Sequence, residues 1–190
     1  MKKFIYFYFF LIINSCATYT LVEKNKEVRV NSLYGFKSDL MLSEIRLLQG
    51  SKIRLFTNNG QRLESFFFST DVRPGTPLSK VSGKEFKKYR KDMNNIDFVE
   101  FISKSLSDFG VFNGKLTNVS EIATNVGKFQ RFHMTFTDKV EGLIYKSIID
   151  RHEDKEILRI NGFIAPSKYY FDEYLIHYDY IVGNLVKLKQ

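Results

Sequence analysis

The side chains of this 190-residue chain that could do chemistry are few: three histidines, one cysteine and 21 acidic residues. His133, His152 and His177 are far apart, and none belongs to an H-E-x-x-H pair, which would set two imidazoles one helical turn apart around a metal. His152-Glu153-Asp154 puts three possible ligands side by side, but Arg151 and Lys155 flank them, so the segment reads as a solvated charge cluster in a turn. A single cysteine leaves no material for a cysteine-based zinc site or an intrachain disulfide. No G-x-S-x-G elbow presents a serine nucleophile. Gly110 and Gly114 lack the Gly-Lys-Ser/Thr continuation with which a phosphate loop is built. Glu141, Asp150 and Glu153 fall at expected strand ends, where solvated carboxylates are ordinary; paired-carboxylate chemistry would need the fold to bring two of them together. The sequence therefore calls for no catalytic residue, no metal and no cofactor.

Aromatic residues, 16% of the chain, are the more suggestive feature. Phe66-Phe67-Phe68 must point to both faces of a strand, because successive side chains alternate. Tyr169, Tyr170, Phe171, Tyr174, Tyr178 and Tyr180 cover more of the last expected helix than one core stripe requires. One reading is a core with tyrosine hydroxyls at its wet edge. The other is an apolar cleft between helix and sheet, or a surface patch, lined by Phe66, Phe68, Tyr170, Tyr174 and Tyr178, that takes a lipid, a peptide or a partner protein.

The elements that position these residues follow from periodicity. Glu27–Val30 reads as a short strand, whereas the apolar runs within 31–49 fit strand or helical turn equally. Lys52–Thr57 and Arg62–Phe68 form a hairpin about Asn58-Asn59-Gly60, Asn-Gly being suited to the positive φ angles of a tight turn. Pro74-Gly75 turns the chain. A helix follows, capped by Asn94 or Asn95, striped by Phe98, Ile102, Leu106 and Phe109, and stopped by Gly110. Lys128–Thr137, Gly142–Asp150 and Ile157–Ile164 then read as a three-stranded meander, with Leu116–Ile122 a further edge strand. The last helix, after Pro166 and capped by Ser167, carries Phe171, Tyr174, Leu175, Tyr178, Ile181, Val182 and Leu185 over about five turns. The expected fold class is α+β: an antiparallel sheet, hairpin plus three-stranded meander, flanked by two helices, the longer one C-terminal.

The amino terminus addresses location. Met1-Lys2-Lys3 precedes an apolar run, Phe4–Ile13, which is far short of the roughly 20 residues of a spanning helix. A basic start and a short apolar run before a small residue is the plan of a secretory signal peptide. Ile13-Asn14-Ser15-Cys16 resembles the lipobox of bacterial lipoproteins, with an aliphatic residue three before the cysteine and a small one just before it. The resemblance implies a diacylglycerol on the Cys16 thiol and cleavage before Cys16. Residues 1–15 are then a signal peptide, 16–26 a polar lipidated tether containing Glu23-Lys24-Asn25-Lys26, and 27–190 a single domain. Two or more acyl chains hold a protein stably on a membrane. Ala17, where an aspartate would resemble an inner-membrane retention signal, tilts the expectation to the outer membrane, facing the periplasm.

The element order, with its Pro-Gly turn and a closing strand before an aromatic-led helix, resembles a group of small bacterial lipoproteins and, distantly, the PsbP-like fold. Neither resemblance carries a catalytic residue. The net charge of +8 is dispersed and loses Lys2 and Lys3 on cleavage, which argues against nucleic acid as a partner. The expected role is a membrane-anchored, non-catalytic binding or assembly module of the bacterial cell envelope with a possible envelope protein partner. The alternative is a carrier of small apolar or lipid ligands in the helix–sheet cleft.

Overall fold

The computed structural model describes residues 19–45, 47, 50–79, 87–107, 110–138 and 142–189. The strands are β1 (Tyr19–Val22), β2 (Glu27–Arg29), β3 (Tyr34–Lys37), β4 (Leu42–Ile45), β5 (Ile53–Thr57), β6 (Ser65–Ser69), β7 (Val111–Thr124), β8 (Gly127–Asp138), β9 (Ile144–Asp154), β10 (Ile157–Pro166) and β11 (Val186–Lys187). Among the described residues two helices, α1 (Asn95–Leu106) and α2 (Tyr170–Gly183), interrupt them. Eight strands make one sheet in the order β1-β4-β5-β6-β10-β9-β8-β7, and β11-β3-β2 make a second, small one. Every pairing among the described strands is antiparallel.

This corrects the α+β expectation of a hairpin plus a three-stranded meander flanked by two helices. The chain is mostly β, and hairpin and meander are one continuous sheet joined through β6 and β10. The joint depends on Gly162, the register partner of Phe67. The Phe67 ring lies across it so closely that a Cβ there would stand 2.0 Å from Phe67 Cζ. No local pattern announces such a pairing. Nor does one announce β1 and β4, which extend the sheet at its far edge, or the pairing of β11 with β3. Tyr19–Val22 falls inside the segment read as tether and is instead the edge strand β1.

The centre of the large sheet is covered on both faces, so its central strands carry unbroken apolar runs such as Phe66-Phe67-Phe68 and Ile148-Ile149. On one face α1 packs over Phe67, Phe132, Met134, Ile149, Leu158 and Ile160. On the other, α2 and the small sheet pack over Phe66, Phe68, Ile148 and Phe163. α1 starts where Asn94 Oδ1 accepts from the Asp97 amide at 2.9 Å and buries Phe98, Ile102 and Leu106, while Phe109 lies outside the described residues. α2 is shorter than its sequence pattern suggests. Its N-cap is Tyr169, at φ +67°, rather than Ser167, and the chain leaves it at Asn184 to form β11.

Two connections differ from expectation. Asn58-Asn59-Gly60 does not make a tight turn: β5 ends at Thr57 and β6 begins only at Ser65. The buried Glu64 carboxylate organises this wider loop, its Oε1 accepting from the Asn58 and Asn59 amides (2.5 and 2.7 Å) and from Thr57 Oγ1 (2.8 Å). The tight turn lies elsewhere. Asp154 and Ile157 are register partners, so Lys155-Glu156 is a two-residue hairpin loop, and both residues have positive φ (48° and 67°). Such angles suit Asn-Gly far better than Lys-Glu. The double substitution Lys155→Asn/Glu156→Gly is expected to stabilise the protein by about 1 kcal/mol, since left-handed backbone disfavours residues bearing a Cβ. The exposed Lys91–Glu156 pair it removes contributes little. Thermal unfolding checks this; a lower midpoint would contradict it.

Candidate functional site

Alternation along β8, β9 and β10 sends Arg131, Asp150 and Asn161 to the face that carries α2. Register places them in one row across the sheet, Arg131 opposite Asp150 and Asp150 opposite Asn161. Arg131 donates from Nε and Nη2 to the two Asp150 oxygens (2.7 and 2.9 Å) and from Nη1 to Asp179 (2.7 Å). The Tyr178 hydroxyl donates to Asp150 Oδ2 at 2.8 Å, and the Arg131 guanidinium lies over the Tyr178 ring. The Tyr34 hydroxyl, brought in by β3, donates to Asn161 Oδ1 at 2.8 Å. Farther along β10, Arg159 donates to Asp71 (2.7 Å) and Ser32 (3.2 Å). Arg159 Nη1 and Asn161 Nδ2 are the belt's donors without a hydrogen-bond partner.

Burial dominates the electrostatics of this belt. It pushes the Asp150 carboxyl above the ordinary carboxylate range, against the opposing pull of Arg131 and the Tyr178 hydroxyl. Burial likewise drives the Tyr34 and Tyr178 phenols upward, so both stay protonated and act as donors. Asp150 is fully buried, its carboxylate enclosed by Arg131 and Tyr178. The belt fastens α2 and β3 to the sheet. Asp150, read from sequence as a solvated strand-end carboxylate, is the most enclosed acid in it.

The aromatic residues singled out by sequence converge on this same face. Phe66, Phe68 and Tyr178 are fully buried, Tyr174 nearly so, and Tyr170 is half-buried. Phe163 sits at their centre, its ring centroid 5.3 Å from Phe66, 5.4 Å from Phe171 and 5.8 Å from Tyr178. Phe68 stacks on Phe36 at 4.4 Å. The Tyr174 hydroxyl accepts from the Asn58 and Asn59 side chains, tying α2 to the β5–β6 loop. These rings fill the space between helix and sheet with one another. Cys16 lies outside the described residues.

Charged groups meet water on the opposite face, in a cleft of about 430 Å³ lined by Met93, Asn95, Glu121, Lys128, Gln130, Arg151 and Glu153. Arg151 donates to Glu153 (2.5 Å) and to the Met93 carbonyl (3.1 Å) and lies over the Phe98 ring, and the Tyr89 hydroxyl donates to Glu153. Glu153 is thus held by two donors, Arg151 and Tyr89. The histidines stay apart. His152 belongs to β9 rather than to a turn and packs at a tilt against the Phe129 ring, His177 contacts Asp39 at 2.6 Å, and burial holds half-buried His133 below the usual imidazole range. Among the described residues, no group of three or more His, Cys, Asp or Glu side chains is placed to hold a metal.

No family model and no curated protein matches this sequence. A solved structure does: the solution structure of cyanobacterial PsbP (CyanoP) from Synechocystis sp. PCC 6803 is similar at a TM-score of 0.54, over 92% of this chain and 95% of that one, with 12% identity. The fold is PsbP-like. At that identity the likeness concerns fold alone.

One edge of this PsbP-like body carries a feature that sequence reasoning missed. On β1, Val22 is buried while Tyr19 and Leu21 point to the other side and are 57% and 59% exposed. Met41, just before the neighbouring strand β4, is 55% exposed. The signal was the β-prone run Tyr19-Thr20-Leu21-Val22, which the expectation of a tether concealed. No described helix is long and apolar enough to cross a membrane.

Proposed function

We propose that this chain is a lipid-anchored protein of the bacterial cell envelope, fastened through Cys16, whose PsbP-like body serves as a non-catalytic binding or assembly module at the membrane surface. The observation that carries this reading is the sequence Ile13-Asn14-Ser15-Cys16 behind a basic start and a short apolar run, with the sole cysteine at the position a lipid would use. The site geometry supports the non-catalytic part: the Asp150 belt is enclosed, and Glu153 is held by Arg151 and Tyr89. A carrier role would require α2 to part from rings that now fill one another's space.

Cys16→Ser tests the anchor. The parent is expected in the membrane fraction with an acylated amino-terminal cysteine by mass spectrometry. The variant is expected to leave that fraction or to keep its leader uncleaved. Cleaved variant protein that stays on the membrane as firmly as the parent would refute the anchor.

A further inference from the structure

We infer that the β1 edge of the large sheet, through Tyr19, Leu21 and Met41, lies against the phospholipid surface and fixes how the body stands on the bilayer. The inference rests on the anchor reading above and adds an orientation to it. Only Ala17 and Thr18 separate Cys16 from β1. Three residue steps span at most about 10 Å, even fully extended. An acylated Cys16 sits at the level of the lipid glycerol, and the headgroup layer above it is several Å thick. Tyr19 is therefore held in or just above that layer, and Leu21 lies at most about 7 Å farther along the strand. No long tether lifts the sheet away, because the segment that could do so is paired with β4 over Tyr19–Val22.

The residues at this edge suit that position. Tyr19 joins an apolar ring to a polar hydroxyl, the combination favoured at membrane interfaces. Leu21 shares its face of β1, and Met41 adds a third exposed apolar side chain beside it. Charge plays no part: in the flanking segments Lys24, Lys26 and Lys37 are balanced by Glu23, Glu27 and Asp39. The contact is an apolar one to lipid of any headgroup charge, and it should be indifferent to salt.

The chain contains no tryptophan, so a single introduced indole reports its own depth. The full chain, processed and lipidated in the host, is reconstituted into phosphatidylcholine vesicles with brominated acyl chains. Leu21→Trp is read first and Tyr19→Trp second, each at an exposed site that leaves the core intact. Leu116→Trp is the control, on β7 at the other edge of the sheet, roughly 30 Å away at about 4.8 Å per strand spacing. Quenching of about twofold or more is expected at positions 21 and 19, unchanged in high salt, with under ~10% at position 116. An acylated protein with no quenching at either β1 position overturns the orientation and leaves the anchor standing. Equal quenching at 116 also overturns it, as does quenching that salt abolishes. A Cys16 without acyl mass removes the anchor and the inference together.

Discussion

Arg131→Met is expected to lower the stability of the fold by about 3–5 kcal/mol, the usual cost of removing one partner from a buried ion pair. The cost arises from what is left behind. Asp150 is fully buried, accepts from both arms of the Arg131 guanidinium and retains only the Tyr178 hydroxyl when Arg131 is gone. The pH dependence has a definite sign. Burial already sets the folded Asp150 pKa above its unfolded value, so its contribution to stability falls as pH rises through the folded pKa. Without Arg131 the folded pKa climbs further. The deficit of Arg131→Met against the parent should therefore be greatest at neutral pH and smaller at an acid pH where Asp150 is protonated. Urea unfolding at the two pH values measures it. A deficit that grows in acid would mean that Asp150 is not the group left uncompensated. Asp150→Asn in the Arg131→Met background should recover part of the loss, because it removes the buried charge while keeping an acceptor for Tyr178.

Phe163→Ala should be comparably severe, at about 3–5 kcal/mol for an aromatic side chain deleted from a closed core. Phe163 is fully buried and stacks with Phe66, Phe171 and Tyr178, so its ring bridges β6, β10 and α2. Neighbours held by the sheet ladder on one side and by the Asp150 belt on the other have little freedom to collapse into the gap. Equilibrium unfolding of the variant gives the number, and binding of a small apolar dye gives a second readout, since the gap would be lined by rings. A loss below about 1 kcal/mol would show that α2 does not bear on the sheet at this point.

What the sequence made legible was local. The strand identity of Lys52–Thr57, the Asn94 cap and the Phe98–Ile102–Leu106 stripe each depend on neighbours within one or two turns or along one strand. What it concealed was pairing at a distance. Gly162 gives no local hint that the Phe67 ring will lie across it, yet that contact merges hairpin and meander into one sheet and moves the fold out of the α+β class. Asn58-Asn59-Gly60 carried a strong turn signal, and the buried Glu64 overrode it by drawing the loop amides to its carboxylate. The candidate site was half visible. Periodicity grouped Tyr174 and Tyr178 on one helix stripe and set Phe66 and Phe68 on one strand face, and the structure joins both sets around Phe163. Arg131 and Asp150 could not be matched, because β8–β9 register, not spacing, puts them opposite each other.

The small sheet is closed by β11, whose Val186 and Lys187 lie opposite Gly35 and Tyr34. That ladder ties together stretches of chain made at opposite times during synthesis. While a ribosome is still adding the intervening residues, β3 has an unmatched edge, and Tyr34 waits for Asn161 as well. Closure of this corner therefore waits for the last residues to be made and depends on a pairing very distant in sequence, and a chain halted before Val186 would emerge with that flank open to strand exchange.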